Sequence, residues 1–317
     1  MPTGELIAPQ APDGRAWPRV TVVTPSYNQG QYLEQTLRSV LLQGYPNLEY
    51  IVMDGGSTDA SVGVIRKYER GLAHWESERD RGQSHAINKG FGVATGEVMC
   101  WLNSDDFFLP GTLYAVALQY MQEPFDFLYG GCLLRFEGGG PYDYTVRMPQ
   151  TLRRTTEDLA VFDYIDQPSS FFSRRAWEHA GPLDESLTYT FDWDFFIRIS
   201  REFPLRCTEG VYSAYRHHSA HKTGTGGERR ADEIVEIVRR HAGGEWAAAY
   251  EDMRANLYPA AREFLARWSW VTRRKGGWRL FGLRKRALLA PFLRRHGGLK
   301  VQVASTMLGI ELVPRDA

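Results

Sequence analysis

The stretch Gly96-Glu-Val-Met-Cys-Trp-Leu-Asn-Ser-Asp-Asp106 joins a short apolar run directly to an acidic cluster. The run that ends at Leu102 has the length and the apolar content of a buried strand. Asn103-Ser-Asp-Asp106 follows it without a linker. We therefore predict a strand over Gly96–Leu102 whose carboxyl end carries an amide, a hydroxyl and two carboxylates.

Two earlier strands end in the same way. The β-branched run Val20–Thr24 leads into the polar cluster Thr24–Asn28, and Leu48–Met53 leads into Asp54–Asp59. Apolar residues at helical spacing separate these strands, and repeated β-α units predict a mainly parallel sheet flanked by helices. Ligands of such sheets bind just beyond the carboxyl ends of the strands. Because three strands end in polar clusters, we expect the clusters to form one site, which includes Asn103–Asp106.

The remaining patterns complete an α/β domain that is followed by a helical C-terminal appendage. They predict a strand at Leu72–Trp75, a helix at Ser84–Ala94, longer strands between Phe125 and Met148, a helix from Asp192 and a last strand at Leu205–Tyr215. Long helical patterns begin near Gly227. We therefore divide the chain into a flexible lead-in (1–18), a main domain (19–225) and a helical basic region (226–317).

Composition excludes several classes of protein. The 317 residues are 43% hydrophobic and 24% charged, which is ordinary for a globular protein. The three separated cysteines, Cys100, Cys132 and Cys207, fit neither a disulfide framework nor a zinc motif, and they favour a reducing compartment. We find no signal-peptide pattern and no run of 18 apolar residues, so we expect a cytoplasmic protein without a membrane-spanning helix.

The formal net charge of zero conceals an asymmetry. Between Phe264 and Ile310 there are 11 Lys or Arg residues and no Asp or Glu, so the preceding part of the chain is acidic. The basic segment also contains Trp268, Trp270 and Trp278. This mixture suits an amphipathic helix on an anionic membrane surface, packing against the main domain, or contact with another anionic partner. We favour peripheral contact with the inner membrane face and expect no nucleic acid.

Eight segments of the main domain carry recognisable motifs in a fixed order. They are Val22-Val-Thr-Pro-Ser-Tyr-Asn28, Asp54-Gly-Gly-Ser-Thr-Asp59, Asp80-Arg-Gly-Gln-Ser84 with Asn88-Lys-Gly90, Trp101-Leu-Asn-Ser-Asp-Asp106, Gln167-Pro-Ser-Ser-Phe-Phe172, Gly181-Pro-Leu-Asp-Glu185, Phe191-Asp-Trp-Asp194 and Arg216-His-His218. Each is weak alone, but the ordered set, over about residues 20–223, resembles family 2 glycosyltransferases. The resemblance implies the Rossmann-like GT-A fold and an inverting, hexosyltransferase-type enzyme that moves a sugar from a nucleotide donor to an acceptor hydroxyl.

The resemblance also implies a divalent metal, Mn²⁺ or Mg²⁺. Sugar transfer expels a nucleoside diphosphate, and a cation that bridges both phosphates stabilises the developing charge. The segment Asn103–Asp106 is placed like the family's DxD motif, so we expect Asp105 to contact the metal, Asp106 to support it and His218 to be a further ligand. Asn103 stands where the family often has Asp, which lowers the negative charge of the site. The alternative for Asn103–Asp106 is a simple turn in which Asp106 caps a helix. The alternative for His218 is a histidine-rich loop that is exposed to solvent.

The donor nucleotide is expected at the ends of the first two strands. Asp54 matches the residue with which the family binds the base, and a carboxylate that accepts from a pyrimidine N–H favours a UDP-sugar, then a dTDP-sugar. Tyr27 suits stacking on the base, or packing within its loop, and Asp59 suits a helix cap. The full set of expected donor contacts is Thr24, Pro25, Tyr27, Asp54, Arg81, Asn103, Ser104, Asp105 and Lys222.

Asp192 is the candidate general base. An acceptor hydroxyl is a poor nucleophile until it loses its proton, and a single carboxylate can remove that proton. Phe191-Asp-Trp-Asp194 aligns with the family's Glu-Asp-Tyr-Asp pattern, and Phe191 in place of Glu makes the pocket less charged, which raises the pKa of the base. The alternative role for Asp192 is an N-cap, while Asp194 suits the first turn of a helix.

Two other functions compete with glycosyl transfer. A sugar-1-phosphate nucleotidyltransferase needs a Gly-rich loop with basic residues after the first strand, but no basic residue precedes Arg38 there. A sugar-nucleotide-binding regulator without catalysis would not need Asp105, Asp106, Asp192 and His218 together. For the acceptor we expect a saccharide of a bacterial surface glycan or its lipid-linked precursor.

Overall fold

The computed structural model describes residues 8, 10–138, 144–149, 155–257, 259–260, 263, 290–292 and 294–296. The chain divides into two compact units, Met1–Thr156 with Tyr164–Arg230, and Glu157–Asp163 with Ala231–Ala317. The division at Arg230 lies close to the boundary that the sequence predicts near Thr225. The assignment of residues 157–163 to the second unit has no counterpart in the sequence patterns.

The first unit is built on a mixed sheet of nine strands. The strands are β1 (Val20–Ser26), β2 (Leu48–Asp54), β3 (His74–Ser77), β4 (Val98–Trp101), β5 (Phe107–Phe108), β6 (Phe127–Phe136), β7 (Tyr144–Arg147), β8 (Ser170–Ser173) and β9 (Leu205–His217). Their order is β3-β2-β1-β4-β8-β6-β9-β5, and β7 pairs with β6 outside this path. The β3-β2-β1-β4 half is parallel, and β6 and β9 are also parallel, whereas β8 is antiparallel to both of its neighbours. The expected α/β, GT-A type of sheet is confirmed.

Helices flank this sheet and form the second unit. They are α1 (Gly30–Leu41), α2 (Ser61–Tyr68), α3 (Gln83–Val93), α4 (Thr112–Gln122), α5 (Thr156–Val161), α6 (Arg174–Ala180), α7 (Phe191–Ser200), α8 (Lys222–Thr225), α9 (Gly227–Ala242) and α10 (Gly244–Asp252). In α1 the apolar residues Leu33, Leu37 and Val40 recur at helical spacing, and all three are fully buried. The predicted helices near Ser84 and Asp192 are confirmed, each with its start shifted by one residue.

The central strand β1 determines where the polar clusters meet. Every residue of β1 is buried, as expected for a parallel strand that is covered on both faces. Ser26 of β1 is in register with Asp54 of β2, and Val23 is in register with Trp101 of β4. The carboxyl ends of β1, β2 and β4 therefore lie side by side, and the predicted meeting of three polar clusters is confirmed.

Strand β9 brings a fourth segment to the same place. It pairs with β6 from Leu205 to His217 and with β5, which directly follows the acidic cluster at Asp105 and Asp106. Gly130 permits a close approach at the irregularity between β6 and β9, since a Cβ at this position would lie 2.4 Å from the Gly210 carbonyl oxygen. The short strands β5 and β8 were not apparent from the sequence patterns.

The second unit is helical in its described residues. Asp252 at the end of α10 accepts hydrogen bonds from Arg295 at 3.1 Å and pairs with the His296 Nε2 atom at 2.7 Å. Phe292 is only 1% exposed. The contacts of Asp252 lie within the second unit. Packing of the basic segment against the main domain and its contact with a membrane both stay predictions. The rest of 264–310 lies outside the described residues.

No helix within the described ranges is both long enough and apolar enough to cross a membrane.

Candidate active site

The two carboxylates of the acidic cluster have different surroundings. Asp106 is fully buried, and its Oδ1 atom accepts a hydrogen bond of 2.9 Å from the backbone N–H of Arg216. Burial, followed by the negative charge of Asp105, raises the pKa of Asp106 well above its usual value. A buried carboxyl that is bonded to backbone suits the expected supporting role, and it does not suit direct contact with a metal.

Asp105 faces His218 across a short gap. Its Oδ2 atom lies 3.0 Å from the Nε2 atom of His218, whose side chain is 1% exposed while that of Asp105 is 19% exposed. The two residues come from the end of β4 and from just beyond β9, which are 113 positions apart. The fold therefore assembles the pair that the sequence singled out.

This pair fits a divalent ion that takes few protein ligands. An octahedral ion with ligands at about 2.1 Å holds neighbouring ligand atoms about 3 Å apart. The observed separation of 3.0 Å is that of a direct hydrogen bond between Asp105 and His218, and the two atoms would need little movement to become neighbouring ligands. Within the described part of the chain, no group of three or more His, Cys, Asp or Glu side chains is arranged for a metal. The remaining ligands would come from the donor diphosphate and water, which is the usual mode for Mg²⁺ at phosphate sites.

Arg216 fixes the loop that carries Asp105. Its Nε atom donates to the Asp105 carbonyl oxygen at 2.8 Å, and its Nη2 atom donates to Gln35 at 2.8 Å. The guanidinium lies 4.7 Å from the centre of the Tyr32 ring and 5.5 Å from that of Phe107. In the sequence, Arg216 stands out only as part of a motif. Its role in holding the Asp105 loop depends on contacts that no sequence pattern shows.

Asp54 organises the loop after β2. The residue is 2% exposed. Its Oδ2 atom accepts from Gly56 N–H at 3.2 Å, from Ser57 N–H at 2.8 Å and from the Ser77 hydroxyl at 2.7 Å. The Oδ1 atom accepts from the Ser57 hydroxyl at 2.6 Å. A carboxylate offers about four acceptor sites, two on each oxygen, so Oδ1 is the oxygen that retains capacity for a base N–H.

Three of the expected donor contacts are buried residues. Thr24 is fully buried, and its hydroxyl pairs with that of Tyr50 at 3.0 Å, so its side chain faces the interior. Pro25 and Ser104 are also buried. Asp54 is buried to a similar degree, and the contacts of all three residues with the donor stay predictions. Tyr27, by contrast, is 61% exposed at the end of β1, where it can stack on a base.

Asp59 has the capping role expected for it. Its Oδ2 atom accepts from the N–H of Gly30, the first residue of α1, at 2.8 Å. Its Oδ1 atom accepts from the N–H of Ser61, the first residue of α2, at 2.9 Å. The carboxylate therefore satisfies backbone donors at two helix starts.

Arg81 lies in an ion pair on the surface. Its guanidinium donates to Glu185 at 2.6 and 3.0 Å, and its side chain is 69% exposed. Glu185 also accepts from Asn88 at 3.2 Å. These contacts join the start of α3 to the segment before α7, and a phosphate would have to compete with Glu185 for Arg81.

Asn103 and Lys222 are joined by a residue that sequence analysis did not single out. Gln83 donates to the Asn103 Oδ1 atom at 2.7 Å and accepts from the Lys222 ammonium at 2.6 Å. Asn103 Nδ2 donates to Gln167 at 3.1 Å, with a longer contact of 3.4 Å to Asp106. Gln83 and Gln167 both lie inside the motif segments, which was the available signal for their importance.

Asp192 lies in the first turn of α7. Its Oδ1 atom accepts from the Trp193 N–H at 2.8 Å. Burial raises the pKa of Asp192, and the charges of Lys222 and Arg230 act in the opposite direction. A carboxylate with a raised pKa beside a cation suits a proton acceptor. Helix α7 begins at Phe191 with Thr190 at its N-cap position, so Asp192 is a residue of the first turn and the N-cap alternative is wrong.

Asp194 has a structural role. It is 2% exposed, and it accepts from the Arg198 Nε atom at 2.8 Å, one helical turn away. Arg198 in turn donates to the carbonyl oxygens of Ala180, Gly181 and Pro182. This network connects α7 to the segment that precedes it, as expected for a first-turn helix residue.

Comparison with known proteins identifies the class of this site. Residues 21–180, about half of the chain, match the sequence model of glycosyl transferase family 2. This protein therefore belongs to that family. An uncharacterized glycosyltransferase of Mycobacterium tuberculosis is 28% identical over 233 residues, which are 70% of this chain and 82% of the relative.

Solved structures share the fold. TarS 1-349 of S. aureus, in complex with UDP-GlcNAc, has a TM-score of 0.58 at 16% identity, over 75% of this chain and 73% of that chain. The mannosyltransferase PcManGT of Pyrobaculum calidifontis, in complex with GDP-Man and Mn²⁺, has a TM-score of 0.55 at 22% identity, over 90% and 89%. Both are similar to this protein in architecture, so the GT-A fold is confirmed.

Proposed function

We propose that this glycosyltransferase is an inverting, hexosyltransferase-type enzyme that uses a nucleotide-sugar donor and a divalent metal. The observation that carries the proposal is the convergence of Asp192 with the acidic cluster. Lys222 lies close enough to Asp192 for its charge to act on that carboxyl, and it reaches Asn103 through Gln83. Asn103 is two residues from Asp105, so hydrogen bonds connect the surroundings of the base to the expected diphosphate site.

Asp192 acts as the general base in this proposal. Its carboxylate accepts the proton of the acceptor hydroxyl while the acceptor oxygen bonds to the anomeric carbon of the donor. The bond from that carbon to the diphosphate breaks in the same step, so the configuration at the carbon inverts. Asp105 and His218 would hold a Mn²⁺ or Mg²⁺ ion, which stabilises the charge of the leaving diphosphate when bound.

The proposed donor is a UDP-sugar, with a dTDP-sugar as the next choice. Support comes from Asp54, whose Oδ1 atom retains acceptor capacity, and from the exposed Tyr27 beside it. TarS was solved with UDP-GlcNAc, whereas PcManGT was solved with GDP-Man, so the fold accommodates both kinds of base. The donor preference therefore depends on Asp54 and not on the fold. Lys222 and, after release from Glu185, Arg81 are the proposed cationic contacts of the diphosphate.

The acceptor is proposed to be a hydroxyl of a saccharide, either on a bacterial surface glycan or on its lipid-linked precursor. The proposed location is the cytoplasm, with peripheral contact to the inner membrane face through the segment 264–310. Its 11 basic residues and absence of acidic ones support this proposal.

The stereochemistry of the product tests the proposed reaction. The protein is incubated with Mn²⁺, an α-linked UDP-sugar and a saccharide acceptor, and the coupling constant of the new anomeric proton is measured by NMR. We expect a β-linked product. An α-linked product would show retention and contradict the single-displacement mechanism, and an absence of turnover with any nucleotide sugar would favour the regulator that lacks catalysis.

A further inference from the structure

Three side-chain amides lie in a row between a backbone carbonyl and an ammonium group. Gln167 Nε2 donates to the Trp101 carbonyl oxygen at 2.9 Å, and Asn103 Nδ2 donates to Gln167 Oε1 at 3.1 Å. Gln83 Nε2 donates to Asn103 Oδ1 at 2.7 Å, and Lys222 Nζ donates to Gln83 Oε1 at 2.6 Å. We call this chain of four hydrogen bonds the amide relay.

The direction of the amide relay is fixed at both ends. A carbonyl oxygen can only accept and an ammonium can only donate, while each amide has one donating and one accepting end. Gln167 must therefore turn its NH₂ group towards Trp101, which turns its oxygen towards Asn103. The same reasoning orients Asn103 and then Gln83, whose oxygen meets Lys222. All three amide orientations follow from the two ends.

The last member of the relay lies beside the proposed base. The Lys222 ammonium is 5.1 Å from the centre of the Phe191 ring, and Phe191 immediately precedes Asp192. The four elements that the relay joins are the end of β4, the turn before β8, the start of α3 and the start of α8. Gln167 is 8% exposed, so this end of the relay is anchored in the interior.

We propose that Gln83, Asn103 and Gln167 are positioning residues for the transfer reaction, because their relay holds the Lys222 ammonium next to Phe191, the residue that precedes Asp192. This inference rests on the proposed role of Asp192. None of the three amides needs to contact the reacting atoms, since they act through Lys222. The cation keeps the buried carboxylate ionised and therefore able to accept a proton.

The relay also gives a reason for the amide at position 103. A carboxylate there has two accepting ends and no donor. If the Gln167 oxygen faces position 103, two acceptors meet there. If Gln167 turns round, its oxygen faces the Trp101 carbonyl oxygen, and two acceptors meet at that end instead. Asn103→Asp, which restores the residue common in the family, is therefore expected to break the relay at its Gln167 end. A carboxylate at position 103 still accepts from Gln83, so the contact between Gln83 and Lys222 stays in place.

The test measures the titration of Asp192 directly and through turnover. The charged and titratable groups that face Asp192 are Lys222, Arg230 and the phenol of Tyr215. Only Lys222 belongs to the relay, so breaking the relay removes one of two cations. The pKa of Asp192 should then rise by about one unit, the lower end of what a neighbouring opposite charge contributes.

The variants are Gln83→Met, Asn103→Leu and Lys222→Met, with Gln122→Met as the matched control on the exposed end of α4. Gln83 is half-buried at the first position of α3, so its replacement by a side chain of similar length is compatible with folding. The ¹³C shift of the Asp192 carboxyl is followed against pH in each protein, and kcat is followed against pH with the donor and acceptor found for the wild type.

In the three relay variants we expect the pKa of Asp192 and the acidic limb of the kcat profile to move up by about one pH unit. In Gln122→Met both should stay at their wild-type positions. The double variant Gln83→Met/Lys222→Met should move no further than Lys222→Met alone, because both changes remove the same interaction. An unchanged titration in Gln83→Met overturns the relay. Failure of wild-type turnover would instead refute the proposed function, and the ¹³C titration would still decide the relay.

Discussion

Replacement of Asp192 by Asn separates a catalytic base from a residue that only stabilises the first turn of α7. Asn keeps the size of the side chain and the oxygen that accepts from the Trp193 N–H at 2.8 Å, so the start of α7 is preserved. It removes the basic site that would take the acceptor proton. We therefore expect kcat to fall by about 10² or more, the usual scale for loss of a general base, with little change in donor affinity.

In contrast to the large loss of kcat, we expect Asp192→Asn to change the free energy of unfolding only slightly. A carboxyl at the start of a helix contributes about 0.3–1 kcal/mol through the helix dipole. Burial, however, raises the pKa of Asp192 in the folded protein. A group of this kind stabilises the fold at low pH, and that contribution is lost as pH rises through the folded pKa. At neutral pH the loss of the charge therefore offsets the loss of the dipole interaction, and the free energy of unfolding should change by less than about 1 kcal/mol.

The assay combines steady-state kinetics with chemical denaturation at neutral pH. Glu178→Gln is the matched control, since it removes a carboxylate whose side chain is 64% exposed on α6. In the wild type, kcat should fall as pH drops through the raised pKa of Asp192, and this limb should be absent from the residual activity of Asp192→Asn. Normal turnover by Asp192→Asn, together with a loss of stability, would show that the residue only stabilises the first turn of α7.

Three further predictions concern the metal, the base and the membrane. His218→Ala should weaken Mn²⁺ binding in the presence of UDP by at least about tenfold in calorimetry, since loss of a group that only supports a ligand already costs that much. Equal affinity would show that His218 is not a ligand. UDP with Mn²⁺ should raise the Tm more than dTDP or GDP, and Asp54→Asn should reduce this difference; a larger rise with GDP would contradict the role of Asp54. The protein should sediment with anionic vesicles and be released at high salt, because each basic residue near the surface contributes about 1 kcal/mol. Replacing Arg273–Lys275 by Gln should weaken that binding, whereas the control Arg66→Gln/Arg70→Gln should not. An absence of sedimentation would exclude docking on the membrane.

Part of the sheet could be predicted from the sequence. Parallel strands of this kind are buried on both faces, so β1 and β2 appear as continuous apolar runs with abrupt polar ends. Strands β5 and β8 are too short to show such a run, and they were not predicted. Asp54, Asp105 and Asp192 were singled out in the motif segments, and their roles stay predictions. The burial of Thr24 and Ser104 could not be predicted, because a polar cluster does not show the direction of its side chains.

The partners of the site residues needed the tertiary structure. Arg216 and His218 follow from the pairing of β9 with β5 and β6, which joins segments more than 100 positions apart. A contact at that separation leaves no periodic signal in the chain, so the clamp on Asp105 could not be predicted. The same holds for Gln83 and Gln167, whose roles depend on meeting Asn103 between them.

By itself, the sequence determined the local elements, the family and the list of residues capable of acid-base and metal chemistry, because hydrophobic periodicity and motif order are local properties of a chain. Only the tertiary structure decided which of those residues face the pocket and what fixes them. It buried Asp106 and left Asp105 partly exposed, although the two are adjacent in the sequence. Burial and hydrogen-bond partners depend on the crossing of distant strands, and these determine which of the two carboxylates is accessible to a ligand.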